Sequence, residues 1–281
     1  MTWSVQWRRS GRPLATHPLE DIMLSTPTDP MAELGTHGWV ERTGGQLTVG
    51  ERRSLLRPLA RSHAFNAAGR ISMLLRVNSG RRATVTRTQR PDPDSALTRA
   101  AEALARRRLS PALLNHSYRT YAFGAALADL ENVDVDHELL YAAALLHDVG
   151  LVTSEPQVDF TRTSARAARE VAEEVGLSTA ATDTMRTAIT LHHSPGVTRA
   201  HGPVAYLLSA GAGLDVIGLR SWQLPRDVLD AATFTHPRLG FKREFTAAFR
   251  AEAAQVPHGR AAFLRRYGAF DLAIKLAPFR G

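Results

Sequence analysis

The most constraining feature of this sequence is a segment that is apolar on almost every side and ends in a histidine and an aspartate. The segment HELLYAAALLHDVGL follows Asp136, which can cap a helix, and Gly150 is placed to end that helix. A helix with apolar residues all round is typical of a position between other helices. The sequence therefore predicts a central helix that carries His147 and Asp148 into the protein interior.

Helical periodicity continues on both sides of this segment. Ser110 and Pro111 form a start signal for the helix PALLNHSYRTYAFGAALADL. The stretches TSARAAREVAEEVG, STAATDTMRTAITLHH and FKREFTAAFRAEAA are also helical in period. We find no alternating segment of strand length with hairpin signals. The sequence predicts an all-α fold, with a helical domain over residues 94–281 and a core over residues 110–220.

Residues 1–93 differ in character from the rest of the chain. Glycine and proline recur there, and no helical or strand period is sustained. Within it, the stretch ARSHAFNAAGRISMLLRV is compatible with one short helix or strand. The segment is therefore predicted to be an irregular basic extension that is poorly packed or disordered. Two explanations are open: the extension is genuine, or the true start of the protein lies further downstream.

The composition excludes several classes of protein. The chain has no cysteine, so any metal must be held by imidazole and carboxylate groups. No apolar run has the length of a membrane span, and no signal peptide begins the chain, so we expect a cytoplasmic protein without a membrane partner. The net charge is +8, but residues 1–110 carry +9 and the remainder −1. A nucleic-acid partner is therefore not favoured for the motif-bearing part.

Four residues in the helical part suggest metal chemistry. His116 lies within a helix, His147 and Asp148 end a buried helix, and Asp215 lies in an otherwise apolar one. Buried carboxylates without partners lose several kcal/mol of hydration, and a cation compensates for that loss. Each residue alone is typical of a structural role, but the set suits a divalent ion such as Zn²⁺, Fe²⁺, Mn²⁺ or Mg²⁺.

Longer motifs resemble a known family. NHSYRTYAFGAAL, LLYAAALLHDVGL, ITLHH and LLSAGAGLDVIG are together similar to the HD superfamily of metal-dependent hydrolases, whose pattern is H…HD…D on a helical bundle. Within it, HSYRTYAFG and ELLYAAALLHDVGL resemble the cyanamide hydratase-like branch and its bacterial relatives. The resemblance implies that His116, His147, Asp148 and Asp215 hold the metal, and that Asp148 also acts in catalysis on the activated water.

Other residues near the motifs have open roles. Arg119 lies one turn after His116, so it is expected either to contact substrate or to be structural. His192 is expected to line the substrate pocket, with a helix-ending or surface role as the alternative. His192, His193 and His201 lie between the His-Asp pair and Asp215, which would allow a second metal ion. The cyanamide hydratase-like resemblance favours one ion.

The resemblance implies water attack on a small-molecule substrate. Hydration of a nitrile-like carbon and hydrolysis of a nucleotide or other phosphoester use the ion in the same way. A third alternative is a non-catalytic regulatory or nucleic-acid-binding protein, against which the complete ligand set argues.

One stretch departs from the cyanamide hydratase-like pattern. Those proteins have Phe-Glu-x-x-Gly-Ala, where this chain has Phe160-Thr161-Arg162-Thr163-Ser164-Ala165. If the missing acid shapes the pocket, the substrate is a small molecule other than cyanamide.

Overall fold

The computed structural model describes residues 33–85, 92–153 and 155–279. Within these ranges the chain forms twelve α-helices and three short 3₁₀ helices, and it forms no β-strand beyond one isolated bridge between Gln46 and Gly259. The predicted all-α class is confirmed. In the same ranges, no helix is both long enough and apolar enough to cross a lipid bilayer.

The helices run in chain order as follows. They are α1 His37–Thr43, α2 Val49–Leu74, α3 Ala96–Arg108, α4 Pro111–Glu131, α5 His137–Leu146, α6 Phe160–Glu174, α7 Thr179–Leu191, α8 Pro203–Ile217, α9 Arg226–Thr235, α10 Phe241–Gln255, α11 Arg260–Tyr267 and α12 Phe270–Lys275.

The start signals read from the sequence are formed in the structure. The Ser110 hydroxyl accepts a hydrogen bond from the Leu113 amide, and Pro111 is the first residue of α4. The Asp136 carboxylate accepts hydrogen bonds from the amides of Glu138 and Leu139 at the start of α5. Both caps satisfy amides that have no partner inside the helix.

Helix α5 is the predicted central helix. Every residue from Leu139 to Leu146 is buried, and the helix packs against α3, α4, α7 and α8. It ends at Leu146, four residues before Gly150, and Gly150 does not have the positive φ of a helix-ending glycine. Gly150 instead allows close contact with α6, because a Cβ there would lie 2.0 Å from the carbonyl oxygen of Phe160.

Helices α4 and α8 pack against each other with little space between their backbones. A Cβ on Gly211 would lie 2.2 Å from the carbonyl oxygen of Thr120, and one on Gly124 would lie 2.9 Å from that of Leu207. Only glycine permits this approach. As a result, Asp215 on α8 lies next to His116 on α4.

The irregular region predicted over residues 1–93 is narrower than expected, because residues 37–43 and 49–74 form α1 and α2. Few residues of α2 are buried, namely Leu55, Leu59, Asn66 and Gly69. That face combines apolar, polar and small residues, so it shows no apolar stripe. Residues 1–32 and 86–91 lie outside the described ranges, and the domain boundary at residue 93 stays a prediction.

Candidate metal centre

Three of the predicted ligands meet in the interior of the bundle. His116, His147 and Asp148 each offer one ligand atom, and these atoms lie within 4.8 Å of one another. Nε2 of His147 is 3.2 Å from Nε2 of His116 and 3.2 Å from Oδ2 of Asp148. Nε2 of His116 is 3.5 Å from the same oxygen. All three residues are at most 1% exposed.

Hydrogen bonds at Nδ1 determine which ring nitrogen of each histidine faces the cluster. Nδ1 of His116 donates to Oδ2 of Asp215 at 2.8 Å, and Nδ1 of His147 donates to the Ala144 carbonyl at 2.7 Å. Because a neutral imidazole carries one proton, each Nε2 then presents a lone pair. This is the arrangement in which histidines bind metals.

With both imidazoles in the neutral form that binds a metal, the cluster lacks positive charge at its centre. Two lone pairs face each other at 3.2 Å, and neither carboxylate oxygen of Asp148 has a hydrogen-bond partner among the described residues. Buried anions without partners are strongly destabilising. Ligand atoms that share one ion with bonds of about 2.0–2.1 Å lie roughly 3 to 3.4 Å apart. The donor types and their separations therefore fit one divalent ion.

The pKa values in the cluster follow the same charges. Burial raises the pKa of Asp148, but the imidazoles of His147 and His116 outweigh it and hold that pKa well below its usual range. Burial lowers the pKa of His116, but the nearby carboxylates of Asp148 and Asp215 outweigh it and raise that pKa. Asp148 is therefore ionised and available as a ligand.

Asp215 does not join the cluster as the sequence predicts. Its Oδ1 accepts hydrogen bonds from Nε of Arg119 at 2.8 Å and Nη1 of Arg238 at 2.6 Å. Its Oδ2 accepts from Nη2 of Arg119 and from Nδ1 of His116, both at 2.8 Å. The two arginines hold the pKa of Asp215 far below its usual range against the opposing effect of burial. With both oxygens occupied, Asp215 contacts His116 from the side of Nδ1.

Arg119 is placed differently from its predicted contact with substrate. Its side chain is fully buried, and its guanidinium bonds Asp215 and the His236 carbonyl. The structural alternative that the sequence left open describes this arrangement.

The structure distinguishes the three further histidines. Nε2 of His192 lies 3.6 Å from Oδ1 of Asp148, and its Nδ1 donates to the Ile189 carbonyl at 2.6 Å. Burial holds the pKa of His192 well below its usual value, so its ring is neutral. The side chain of His193 beside it is 6% exposed, whereas His201 is exposed and bonds Thr198. Among the described residues, the structure offers one group of metal ligands.

A cavity of about 200 Å³ opens next to the cluster. His116, His147, Asp148 and His192 form one part of its lining. Much of the remainder is apolar, with Phe245, Phe249 and Phe270 from the C-terminal helices among the lining side chains.

Comparison with known proteins agrees with this architecture. Residues 113–230 match the HD domain family. This segment of the chain is therefore similar to an HD domain. The chain is also similar to the cyanamide hydratases DDI2 and DDI3 of Saccharomyces cerevisiae. Each is 26% identical over 182 residues, which is 62% of this chain and 80% of the relative.

Sequence reasoning missed two contributions to the site. Arg238 holds Asp215 from the loop before α10, and the sequence stretch HPRLGFKREF carries no local signal of that role. Helix α2 supplies part of the cavity wall, including Leu59 and Asn66, from a segment that was predicted to be irregular. The stretch ARSHAFNAAGRISMLLRV, which is compatible with one short helix or strand, was the available signal.

Proposed function

We propose that this protein is a metal-dependent hydrolase or hydratase that acts on a small uncharged molecule. The observation that carries the proposal is the buried Asp148 carboxylate, which has no hydrogen-bond partner among the described residues and lies beside two facing imidazole lone pairs. A divalent ion bound there would polarise an electrophile and make water nucleophilic at neutral pH.

The side chains of the cluster have separate roles in this proposal. His116, His147 and one oxygen of Asp148 hold the ion, and Nε2 of His192 is the nearest further nitrogen that can act as a ligand or contact substrate. The second oxygen of Asp148 orients the attacking water and accepts its proton. Asp215 and Arg119 keep the His116 ring in place.

The cavity favours a small neutral substrate over a nucleotide. Its volume of about 200 Å³ is below the roughly 300–1,000 Å³ typical of pockets for drug-sized ligands. Arg220 is the arginine that lines it among the described residues, and its guanidinium is bonded to Glu131 and Tyr206. No guanidinium in the described lining is therefore free to bind phosphate.

The departure from the Phe-Glu-x-x-Gly-Ala pattern does not argue against cyanamide in this structure. Thr161, which replaces the acid, bonds Asp159 and Arg260 and is not among the residues that line the cavity. Together with the similarity to two cyanamide hydratases, this supports hydration of a nitrile-like group.

Purified protein with its metal content measured tests the proposal. We expect one divalent ion per chain and conversion of cyanamide to urea, with Asp148→Asn inactive under the same conditions. Activity on a nucleotide panel instead of cyanamide would favour the phosphohydrolase alternative. Absence of both activities with Zn²⁺, Fe²⁺, Mn²⁺ and Mg²⁺ would overturn the enzymatic proposal.

A further inference from the structure

Helix α2 forms one wall of the cavity beside the cluster of His116, His147 and Asp148. Its lining residues are Leu59, Ser62, His63 and Asn66, at positions i, i+3, i+4 and i+7 of one helix face. This helix lies before the HD domain, which begins at residue 113. The cavity is thus bounded on one side by HD-domain residues and on another by a segment outside the family match.

The position of α2 is determined by close contacts with the rest of the protein. A Cβ on Gly69 would lie 2.0 Å from the Trp222 ring, so the helix backbone rests directly on that ring. Arg70 donates hydrogen bonds to the carbonyl oxygens of Ile217 and Leu276, both at 2.8 Å. These contacts hold α2 in place as a fixed part of the cavity wall.

Asn66 is the polar residue on this described wall with a buried side-chain atom that lacks a hydrogen-bond partner. Asn66 is 8% exposed, and its Oδ1 is buried without a hydrogen-bond partner among the described residues. A buried amide oxygen that accepts no hydrogen bond has lost its hydration without compensation. The folded protein would be more stable with an apolar residue of similar size at this position. The amide is therefore expected to receive its hydrogen bond from a molecule inside the cavity.

We propose that Asn66 binds the substrate and that Oδ1 accepts a hydrogen bond from a substrate N–H group. This inference rests on the proposed function and narrows it to small neutral molecules that carry an N–H next to the reacting carbon, such as cyanamide. The surroundings support a neutral donor, because Arg220 in the lining is already paired with Glu131.

Substrates with and without an N–H group test this assignment. The wild-type protein is compared with Asn66→Leu, which keeps the side-chain size and removes the acceptor, on cyanamide and on dimethylcyanamide. The ratio of kcat/KM for cyanamide to kcat/KM for dimethylcyanamide should fall about tenfold or more in the variant. The fall should come mainly from a higher KM for cyanamide. Arg61→Ala, on an exposed position of the same helix, is the control and keeps the wild-type ratio.

Thermal unfolding adds a readout that a structural role would not reproduce. Asn66→Leu is expected to unfold at the same or a higher temperature than wild type, because it removes an unpaired buried polar group. A destabilised variant with an unchanged substrate ratio would overturn the proposal.

A binding measurement separates this inference from the proposed reaction. Calorimetry with urea and tetramethylurea on the protein as purified does not depend on turnover. If cyanamide is not hydrated, the proposed function fails, while urea binding that is lost in Asn66→Leu still supports the inference. Equal binding of urea by wild type and variant, or no binding by wild type, would overturn it.

Discussion

The Asp215 carboxylate accepts a hydrogen bond from Nδ1 of His116 at 2.8 Å, while Nε2 of the same ring faces the metal cluster. Through this bond Asp215 fixes which nitrogen of His116 presents a lone pair. A carboxylate in this position also makes the imidazole a stronger ligand. The last aspartate of the H…HD…D pattern can therefore act on the site without entering it.

Asp215→Asn tests whether Asp215 positions His116, a metal ligand, or is itself a metal ligand. An amide has one acceptor oxygen for four donors and leaves Arg119 and Arg238 buried without a negative charge. We expect metal affinity to fall about 10- to 100-fold and the free energy of unfolding to fall by about 3–5 kcal/mol. Chelator competition and urea unfolding measure these quantities.

The control for this variant is Asp183→Asn, which removes a half-exposed carboxylate on α7. It should bind metal as wild type does. If folded Asp215→Asn holds no metal even at saturating concentrations, Asp215 is a direct ligand and the positioning role is wrong.

His147→Ala and Asp148→Ala should each abolish retention of the metal. Both residues lie at the end of α5, beyond its last helical residue, so their truncation leaves the helix hydrogen bonds intact. We therefore expect helical circular dichroism close to wild type and less than one tenth of the wild-type metal after desalting, measured by elemental analysis.

His201→Ala serves as the matched control, since His201 is an exposed histidine in a 3₁₀ helix. It should keep the wild-type metal content. Stoichiometric metal in both α5 variants would refute the assignment, and loss of a second ion in His201→Ala would indicate a binuclear site.

Local patterns predicted much of the architecture. The Ser110 and Asp136 caps, the apolar helix between them and His147, and the all-α class follow from signals within a few residues. The meeting of His116 with the His-Asp pair was anticipated because buried carboxylates need compensation. His192 also lies in the cavity lining.

The remaining features depend on distant partners. The orientation of Asp215 is decided by Arg238, a residue 23 positions away whose own sequence context is unremarkable. The full length of helix α2 was not predicted, because its buried face mixes Leu59 with Asn66 and Gly69, while Phe65 and Leu74 lie exposed on the outside. A cavity-lining face that mixes apolar with polar and small residues gives no apolar stripe, so periodicity alone does not reveal it.

Gly150→Ala should disturb the metal site through the backbone. An added Cβ would lie 2.0 Å from the Phe160 carbonyl oxygen and 2.9 Å from the Ser164 amide, so the turn that carries Asp148 must move. We expect a loss of about 1–3 kcal/mol in the free energy of unfolding, together with weaker metal binding. Denaturant unfolding and chelator competition measure the two effects.

Gly50→Ala is the comparison for this variant. Its Cβ would meet only Thr48 Oγ1, at 4.0 Å, within α2. Alanine is the better helix former, so this change should be neutral or slightly stabilising. If Gly150→Ala behaves in the same way, the close contact between the turn and α6 is not a constraint.

Glu252 should make stability depend on pH. Burial and the nearby Asp159 carboxylate raise its pKa from 4.5 to about 7, although the Phe160 amide donates to its Oε1 at 3.0 Å. Between these pH values the folded protein holds a proton that the unfolded chain releases. The free energy of unfolding therefore falls as pH rises from about 4.5 to about 7, by at most about 3 kcal/mol from this group.

Glu252→Gln isolates this contribution, because its amide oxygen can still accept from Phe160 but cannot ionise. Urea unfolding of wild type and variant at pH 5, 6, 7 and 8 gives the difference in free energy at each pH. Relative to wild type, the free energy of unfolding of the variant should increase by about 2–3 kcal/mol from pH 5 to pH 8. Glu170→Gln, on the exposed face of α6, should show a constant difference. A constant difference for Glu252→Gln as well would mean that the folded protein carries this carboxyl ionised throughout, with Arg260 as its counterion.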